Sequence, residues 1–238
     1  MLGYTPAAMH DKRFPGETAG YRAARDKLLQ AEIDLLDQTW KVAAQRAALP
    51  AGGPAPTDYV FVAAGGKKVK LSQLFQPGQD TLVLYSFMYG PKMKEACPMC
   101  TSLLDGLEGQ SEHIRQRVSF AVVAKSPIAR ILAHAKKRGW KRLQLLSSAK
   151  NTYNLDYHGE DEAGAQWSAL NVFSRRGGTI HQTYGTELQF LERGHDSCHV
   201  DSIWPLWNMF DFTPDGRGAD WYPALSYPKK RAGHRRAG

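Results

Sequence analysis

The sequence lacks the starting material for several common chemistries. Three cysteines in 238 residues are too few for a disulfide scaffold. No run approaches the ~18 consecutive apolar residues that a membrane-spanning helix needs. Residues 1–13 include His10, Asp11, Lys12 and Arg13 and lack the apolar centre of a signal peptide, so the expected location is the cytoplasm, with no membrane partner. Neither a glycine-rich phosphate loop nor a serine-nucleophile elbow is present, and no cofactor is called for. Asp161 and Glu162 fall in an expected loop with no histidine assigned to them as a partner, and no acid–base role is read for them.

Charge is also sparse where a nucleic-acid binder would carry it. The net charge is +8, of which Lys229, Lys230, Arg231, Arg235 and Arg236 supply five, leaving +3 for the rest. Residues 219–238 therefore read as a basic, disordered, solubilising tail rather than a nucleic-acid surface. Hydrophobic content of 42% and charged content of 23% are those of an ordinary globular chain with ample core.

What is present centres on residues 81–109. Thr81-Leu82-Val83-Leu84-Tyr85-Ser86-Phe87 is an apolar, aromatic run that suits a strand covered on both faces. Tyr89-Gly90-Pro91 ends it. Cys97-Pro98-Met99-Cys100 follows, and Leu103, Leu104, Leu107 and Ile114 then recur at helical spacing. Pro98 suits the first position of that helix. The two thiols thus fall at a helix N-terminus, whose unpaired N–H groups and dipole favour a thiolate. Cys97, outermost, is the expected nucleophile; Cys100, one turn inside, is placed to resolve a mixed disulfide. Half of a zinc site and a pair of inert core thiols are the competing readings.

Elsewhere the chain shows an amphipathic helix over 18–50, with Leu28, Leu35, Leu29, Ile33, Leu36 and Trp40 on two adjacent seams. It serves either as cover for its own domain or as a homodimer contact. Residues 1–17 are expected to be a flexible N-terminus, and 50–56, rich in Pro and Gly, a linker. Asp58–Val62 and Lys68–Leu71 flank Gly65-Gly66 as a hairpin. Val118–Ala124 reads as a buried strand. Ser126 and Pro127 are expected to cap and open a helix that Gly139 ends, and Leu143–Leu146 as a third strand. Such β-α-β-α-β alternation predicts a parallel sheet. Residues 151–165 read as a surface loop. Ala169–Ser174 and Thr179–Tyr184 form a second hairpin, and a last helix over 200–212 either begins at Pro205 or kinks there. Its Trp204, Trp207, Phe210 and Phe212 are core residues or the lining of a cleft. His195, Cys198 and His199 form a second cluster. It could complete a zinc site with Cys97 and Cys100, supply a further resolving thiol or help ionise Cys97.

Three groups of residues carry a family resemblance. The first is Tyr21-Arg22-Ala23-Ala24-Arg25-Asp26-Lys27-Leu28-Leu29 with Asp58-Tyr59-Val60-Phe61. The second is Phe87-Met88-Tyr89-Gly90-Pro91 with the Cys97–Cys100 motif. The third is Gly139-Trp140 with Phe210-Asp211-Phe212-Thr213-Pro214-Asp215-Gly216-Arg217-Gly218. Over residues 21–218 the chain resembles the DUF899 family, thioredoxin-like bacterial proteins described as predicted dithiol-disulfide oxidoreductases. That resemblance implies an α/β, peroxiredoxin-like mixed sheet flanked by helices over 57–218. It also implies catalysis by Cys97 and Cys100 on a disulfide-bearing protein or small thiol substrate, with a separate reductant. One departure stands out: thioredoxins carry a proline before the strand facing the dithiol, and Trp167-Ser168-Ala169-Leu170 has none.

Overall fold

The computed structural model describes residues 10–191 and 198–227, less the side chain of Cys198. The chain divides into two compact units, Met1–Pro50 and Ala51–Gly238. In the first, helix α1 (Ala19–Ala47) runs for 29 residues and is opened by Thr18, whose hydroxyl accepts the Tyr21 N–H. Ion pairs along its surface, such as Arg22–Asp26 at 3.6 Å, have the helical i,i+4 spacing.

The second unit is built on one seven-stranded sheet. Its strands are β1 (Val60–Val62), β2 (Lys68–Lys70), β3 (Thr81–Ser86), β4 (Ser119–Ala124), β5 (Leu145–Ser147), β6 (Ala169–Arg176) and β7 (Thr179–Gly185), in the order β2-β1-β5-β4-β3-β6-β7. β3, β4 and β5 are parallel, while β6 lies antiparallel to β3 and β7 antiparallel to β6. Helix α2 (Pro98–Arg115) carries the chain from β3 to β4 and α3 (Ile128–Arg138) from β4 to β5. This β-α-β unit joined to an antiparallel pair, with β3 at its centre, is the expected thioredoxin-like mixed sheet. All six residues of β4 are buried, as a central strand covered on both faces requires.

The pleat sorts β3 between two cores. Leu82 and Leu84 join Tyr59, Phe61, Tyr153 and Phe173 on one face. Tyr85 and Phe87 join Leu103, Leu104 and Leu107 of α2 on the other. Tyr85 therefore points at the helix that the cysteines open.

Several sequence expectations are corrected. Ser126 does not cap α3: the N-cap residue is Pro127, and the Ser126 hydroxyl instead donates to the Gly90 carbonyl. Gly139 does end α3, with φ 79°, a left-handed conformation that costs glycine little. Residues 151–165 are not merely a surface loop. They include a short helix, α4 (Tyr153–Asp156), whose Tyr153 and Asn154 are fully buried. The Ser148 hydroxyl donates to the Asn154 side-chain oxygen at 2.5 Å, which gives part of that polarity a partner inside. The last helix, α5 (Pro205–Asp211), begins at Pro205 after a 3₁₀ turn over Cys198–Ile203. Part of the expected tail packs back on the domain. Trp221 stacks edge-on against Trp207 and Phe210, and the Leu225 carbonyl accepts from Arg138. Residues 228–238, which hold the five tail cations, lie outside the described residues.

Candidate active site

Cys97 is the N-cap residue of α2. Its backbone is extended rather than helical, with φ −58° and ψ 123°, and Pro98 takes the first helical position. The Cys100 N–H donates to the Cys97 sulfur across 3.4 Å. Behind it, the Cys97 N–H donates to the Met88 carbonyl, and its own carbonyl accepts both the N–H and the hydroxyl of Thr101, at 3.0 and 2.8 Å. Both thiols are free; Cys97 is half-buried and Cys100 buried.

Environment separates these thiols in acidity. Cys97 is lowered to about 6, first by hydrogen bonding from the Cys100 thiol and then by the amides of Cys100 and Met99, against the opposing effect of burial. Cys100 is pushed well up, first by that same pairing with Cys97, then by burial and by the charge on Cys97. The Tyr85 hydroxyl opposes that rise by hydrogen bonding to the Cys100 sulfur. Burial raises Tyr85 itself well above its ordinary value, so it remains a donor, and the Ser168 hydroxyl is its other hydrogen-bonding neighbour. The groups that lower Cys97 are thus neutral donors rather than cations.

A second layer fixes the loop before Cys97. Arg130 of α3 donates to the carbonyls of Pro91, Met93 and Lys94, at 3.1, 2.5 and 3.3 Å, and its guanidinium lies 4.5 Å from the Tyr89 ring centre. Buried His134 sits 3.1 Å from the Thr101 hydroxyl. Since that hydroxyl donates to the Cys97 carbonyl, it must accept from His134 Nε2–H. Burial first, and Arg138 second, hold His134 below its ordinary value and hence neutral. Asp105 and Glu108, further along α2, bind the connection after α3. Asp105 takes Arg138 and the Trp140 indole N–H; Glu108 accepts the N–H groups of Lys141, Arg142 and Leu143 at 2.7 to 3.0 Å.

Above the dithiol opens a pocket of about 360 Å³. Its floor is Cys97 and Cys100 with Tyr85, Met88 and Met99. Trp167 and Ser168, just before β6, form one wall, and Leu188, Gln189 and Leu191, after β7, form another. His199, Val200 and Trp204 close it from the 3₁₀ turn and Tyr222 from the C-terminal segment. The β3–β6 register, in which Ser86 faces Ala169, brings Ser168 beside Tyr85. Ser168 occupies the place where the family comparison put a missing proline, and its hydroxyl lies 3.2 Å from His199 Nε2. Trp204 therefore both packs in the core and lines a cleft. Phe212, at 82% exposed, does neither.

Of the second sequence cluster, His199 lines the site. Burial lowers it below its ordinary value, so it is neutral and no cationic helper to Cys97. His195 and the side chain of Cys198 lie outside the described residues. Among the described residues no group of three or more metal-binding side chains assembles, and no helix is long and apolar enough to cross a membrane. Sequence reasoning missed Ser168, Gln189, Thr101, Arg130 and His134, and read Tyr85 only as a strand residue. Only Tyr85 carried a signal, as a hydroxyl near the end of the strand that leads to the cysteines.

Among solved structures, the chain is similar to the reduced 2-Cys peroxiredoxin of Plasmodium vivax, at 16% identity over 67% of this chain and 97% of that one, with a TM-score of 0.44. It is also similar to peroxidoxin BcpB of Mycobacterium tuberculosis (16%, 66% and 95%, TM-score 0.44) and to peroxiredoxin Q of Xanthomonas campestris (13%, 65% and 94%, TM-score 0.45). Likeness at this level assigns no activity. No curated protein matches the chain. The family described as "Bacterial protein of unknown function (DUF899)" matches residues 11–232, almost the whole length, and this protein belongs to it.

Proposed function

We propose that this protein is a dithiol–disulfide oxidoreductase in which Cys97 attacks and Cys100 resolves. The Cys97 thiolate attacks one sulfur of a substrate disulfide, forms a mixed disulfide and expels the first substrate thiolate. Cys100, losing its proton, then attacks the Cys97 sulfur, expels the second substrate thiolate and leaves a Cys97–Cys100 disulfide. Two electrons pass to the substrate. An external thiol or dithiol returns the protein to the dithiol by the same exchange in reverse.

The observation that carries this reading is the asymmetry of two neighbouring thiols. One faces a pocket and is lowered to about 6; the other is buried beneath it with its proton retained. An attacker must be accessible and ionised, and a resolver must be shielded until the mixed disulfide forms. An inert core pair would have no reason for that division.

The test uses 2,2′-dithiodipyridine, an uncharged disulfide whose thione product is coloured, with every protein in a Cys198→Ser background. The parent should release two thiones per chain and finish with an internal disulfide. Cys100→Ser should release one and keep the pyridyl adduct on Cys97, identifiable by mass. Cys97→Ser should release its thione slowly. Equal rates for the two single-cysteine proteins at about pH 5.5, both matching a free cysteine, would remove the proposal.

A further inference from the structure

The pocket over Cys97 has a distinctive chemical lining. None of the described residues around it is Asp, Glu, Lys or Arg. Charge is available close by. A neighbouring pocket of about 300 Å³ is lined by Lys94, Glu95, Arg130, Lys137 and Arg138, yet none of these reaches the dithiol pocket. The walls are instead Trp167, Leu188, Leu191, Trp204 and Tyr222. His199, the one titratable group besides the thiols and tyrosines, is held neutral by burial. An ionised substrate entering here would exchange water for aromatic and aliphatic surface with no counter-charge among the described residues.

Two polar groups in the same lining are incomplete. Both the oxygen and the nitrogen of the Gln189 carboxamide are buried without a hydrogen-bond partner among the described residues, and so is His199 Nδ1. Buried polar atoms in a folded protein are paired in the great majority of cases, and leaving a donor and an acceptor both empty is unfavourable. A carboxamide offers one donor edge and one acceptor edge side by side, which an amide group on a ligand would complement. The volume lies at the lower end of the range for small-molecule sites and is enclosed by side chains from four separate segments.

Resting on the dithiol reading above, we infer that the substrate of this site is a small, uncharged aromatic or aliphatic disulfide bearing an amide-type group. The disulfide is read by the Trp167–Trp204–Leu188 walls and the amide by Gln189. Among the described residues these walls offer a charged disulfide of the glutathione type no counter-charge, which makes it the poorer substrate. The electron balance is that of the two exchanges already given: the disulfide gains two electrons and leaves as two thiols, while Cys97 and Cys100 become joined. The reductant that restores them is an external dithiol, supplied as dithiothreitol in the test.

The test compares turnover of bis(4-acetamidophenyl) disulfide, diphenyl disulfide, bis(4-carboxyphenyl) disulfide and glutathione disulfide by the full chain. Each kcat/KM is divided by that disulfide's uncatalysed rate with dithiothreitol, which cancels its intrinsic reactivity. The acetamido compound should exceed the dicarboxylate by at least ~100-fold, the order expected for an unpaired charge in an apolar pocket. Gln189→Leu should lower the ratio of the acetamido value to the diphenyl disulfide value ~10-fold, as loss of one pair of hydrogen bonds requires. A second readout is free of chemistry: bis(4-acetamidophenyl) sulfide, which cannot exchange, should quench tryptophan fluorescence in the parent and more weakly in Gln189→Leu. Equal normalised values for the four disulfides, or no effect of Gln189→Leu on either readout, would overturn the substrate class and leave the dithiol reading intact. Failure of the dithiol reading shows differently, as the absence of a fast thiol toward 2,2′-dithiodipyridine.

Discussion

Replacing Cys100 by serine or by alanine should have different effects on Cys97, although both variants remove the resolving thiol. The largest influence lowering Cys97 is hydrogen bonding from the Cys100 side chain, ahead of the backbone amides. Serine keeps a donor at that position and alanine keeps none. A hydrogen bond to a charged group is worth about 1.5–3 kcal/mol, which is roughly 1–2 pKa units at 1.36 kcal/mol each. The Cys97 midpoint should therefore stay near 6 in Cys100→Ser and rise to about 7–8 in Cys100→Ala.

Reaction rate alone is a poor readout of that difference. At pH 7 a thiol of pKa about 6 is some nine-tenths ionised, against roughly 3% for an unperturbed thiol near 8.5. That ~30-fold gain is largely offset by lower intrinsic nucleophilicity, about 13-fold for 2.5 pKa units at a Brønsted slope near 0.45. The net advantage is only two- to three-fold at pH 7 and grows to ~20-fold at pH 5.5. Thiolate absorbance and the rate of exchange with 2,2′-dithiodipyridine should thus be followed from pH 4.5 to 9.5 in both variants, with Cys198→Ser added so that one thiol titrates. Identical midpoints near 6 would show that the α2 amides act without the neighbouring side chain. Identical midpoints near 8.5 would show that no thiolate is stabilised. Either result refutes the reasoning.

Tyr85→Phe removes the hydroxyl that hydrogen-bonds to the Cys100 sulfur while keeping the ring in the core. The resolving step, followed by stopped-flow release of the second thione, should slow ~10-fold with the Cys97 midpoint unmoved. His134 and His199 are both held neutral, below their ordinary value, so the unfolded chain binds protons first as acid is added. Their contribution to stability is complete above about pH 6.5 and is lost as pH falls through the depressed folded values. The urea midpoint should fall over that range and His134→Gln should flatten part of the fall, whereas a midpoint unchanged down to pH 5 would contradict it. Glu108→Ala unpairs the N–H groups of residues 141–143. It should lower unfolding stability by about 1–3 kcal/mol without changing the Cys97 titration.

The local elements were legible in the sequence because short-range signals determine them. The strand from Thr81, the turn at Gly90-Pro91 and the helix opened by Pro98 are each specified within a few residues, and together they locate the dithiol. Assembly of the pocket was not legible. Ser168 meets Tyr85 only through the register of β3 against β6, two segments about eighty residues apart in the chain that pair antiparallel. Gln189, His199 and Tyr222 lie in irregular segments with no periodicity to mark an inward face. Arg130 and His134 read as ordinary residues of an amphipathic helix, and their roles come from the carbonyls and hydroxyl that the preceding loop and α2 present to them. Polarity misled at residues 153–154, where a tyrosine and an asparagine complete the core.

The means of stabilising the thiolate and the character of the pocket follow from the same choice. A cysteine can be acidified by a cation or by neutral donors aimed at its sulfur. A cation would have served Cys97 equally well, and Lys94 and Arg130 are close in the chain and the fold. Arg130, however, donates to loop carbonyls, and Lys94 faces the neighbouring charged pocket. The sulfur is left to the Cys100 thiol and the first amides of α2. Those donors belong to the helix end itself and need no side chain in the space above. The described lining over Cys97 can therefore stay uncharged while the thiol remains ionised at neutral pH. In the proposed reaction an apolar, neutral substrate would meet a nucleophile stabilised from the helix end, and as Cys97 formed the mixed disulfide its negative charge would leave with the expelled thiolate. With that charge gone, one of the influences that raise Cys100 disappears. On the proposed mechanism, attack by Cys97 would thus ease the deprotonation that Cys100 needs for the resolving step.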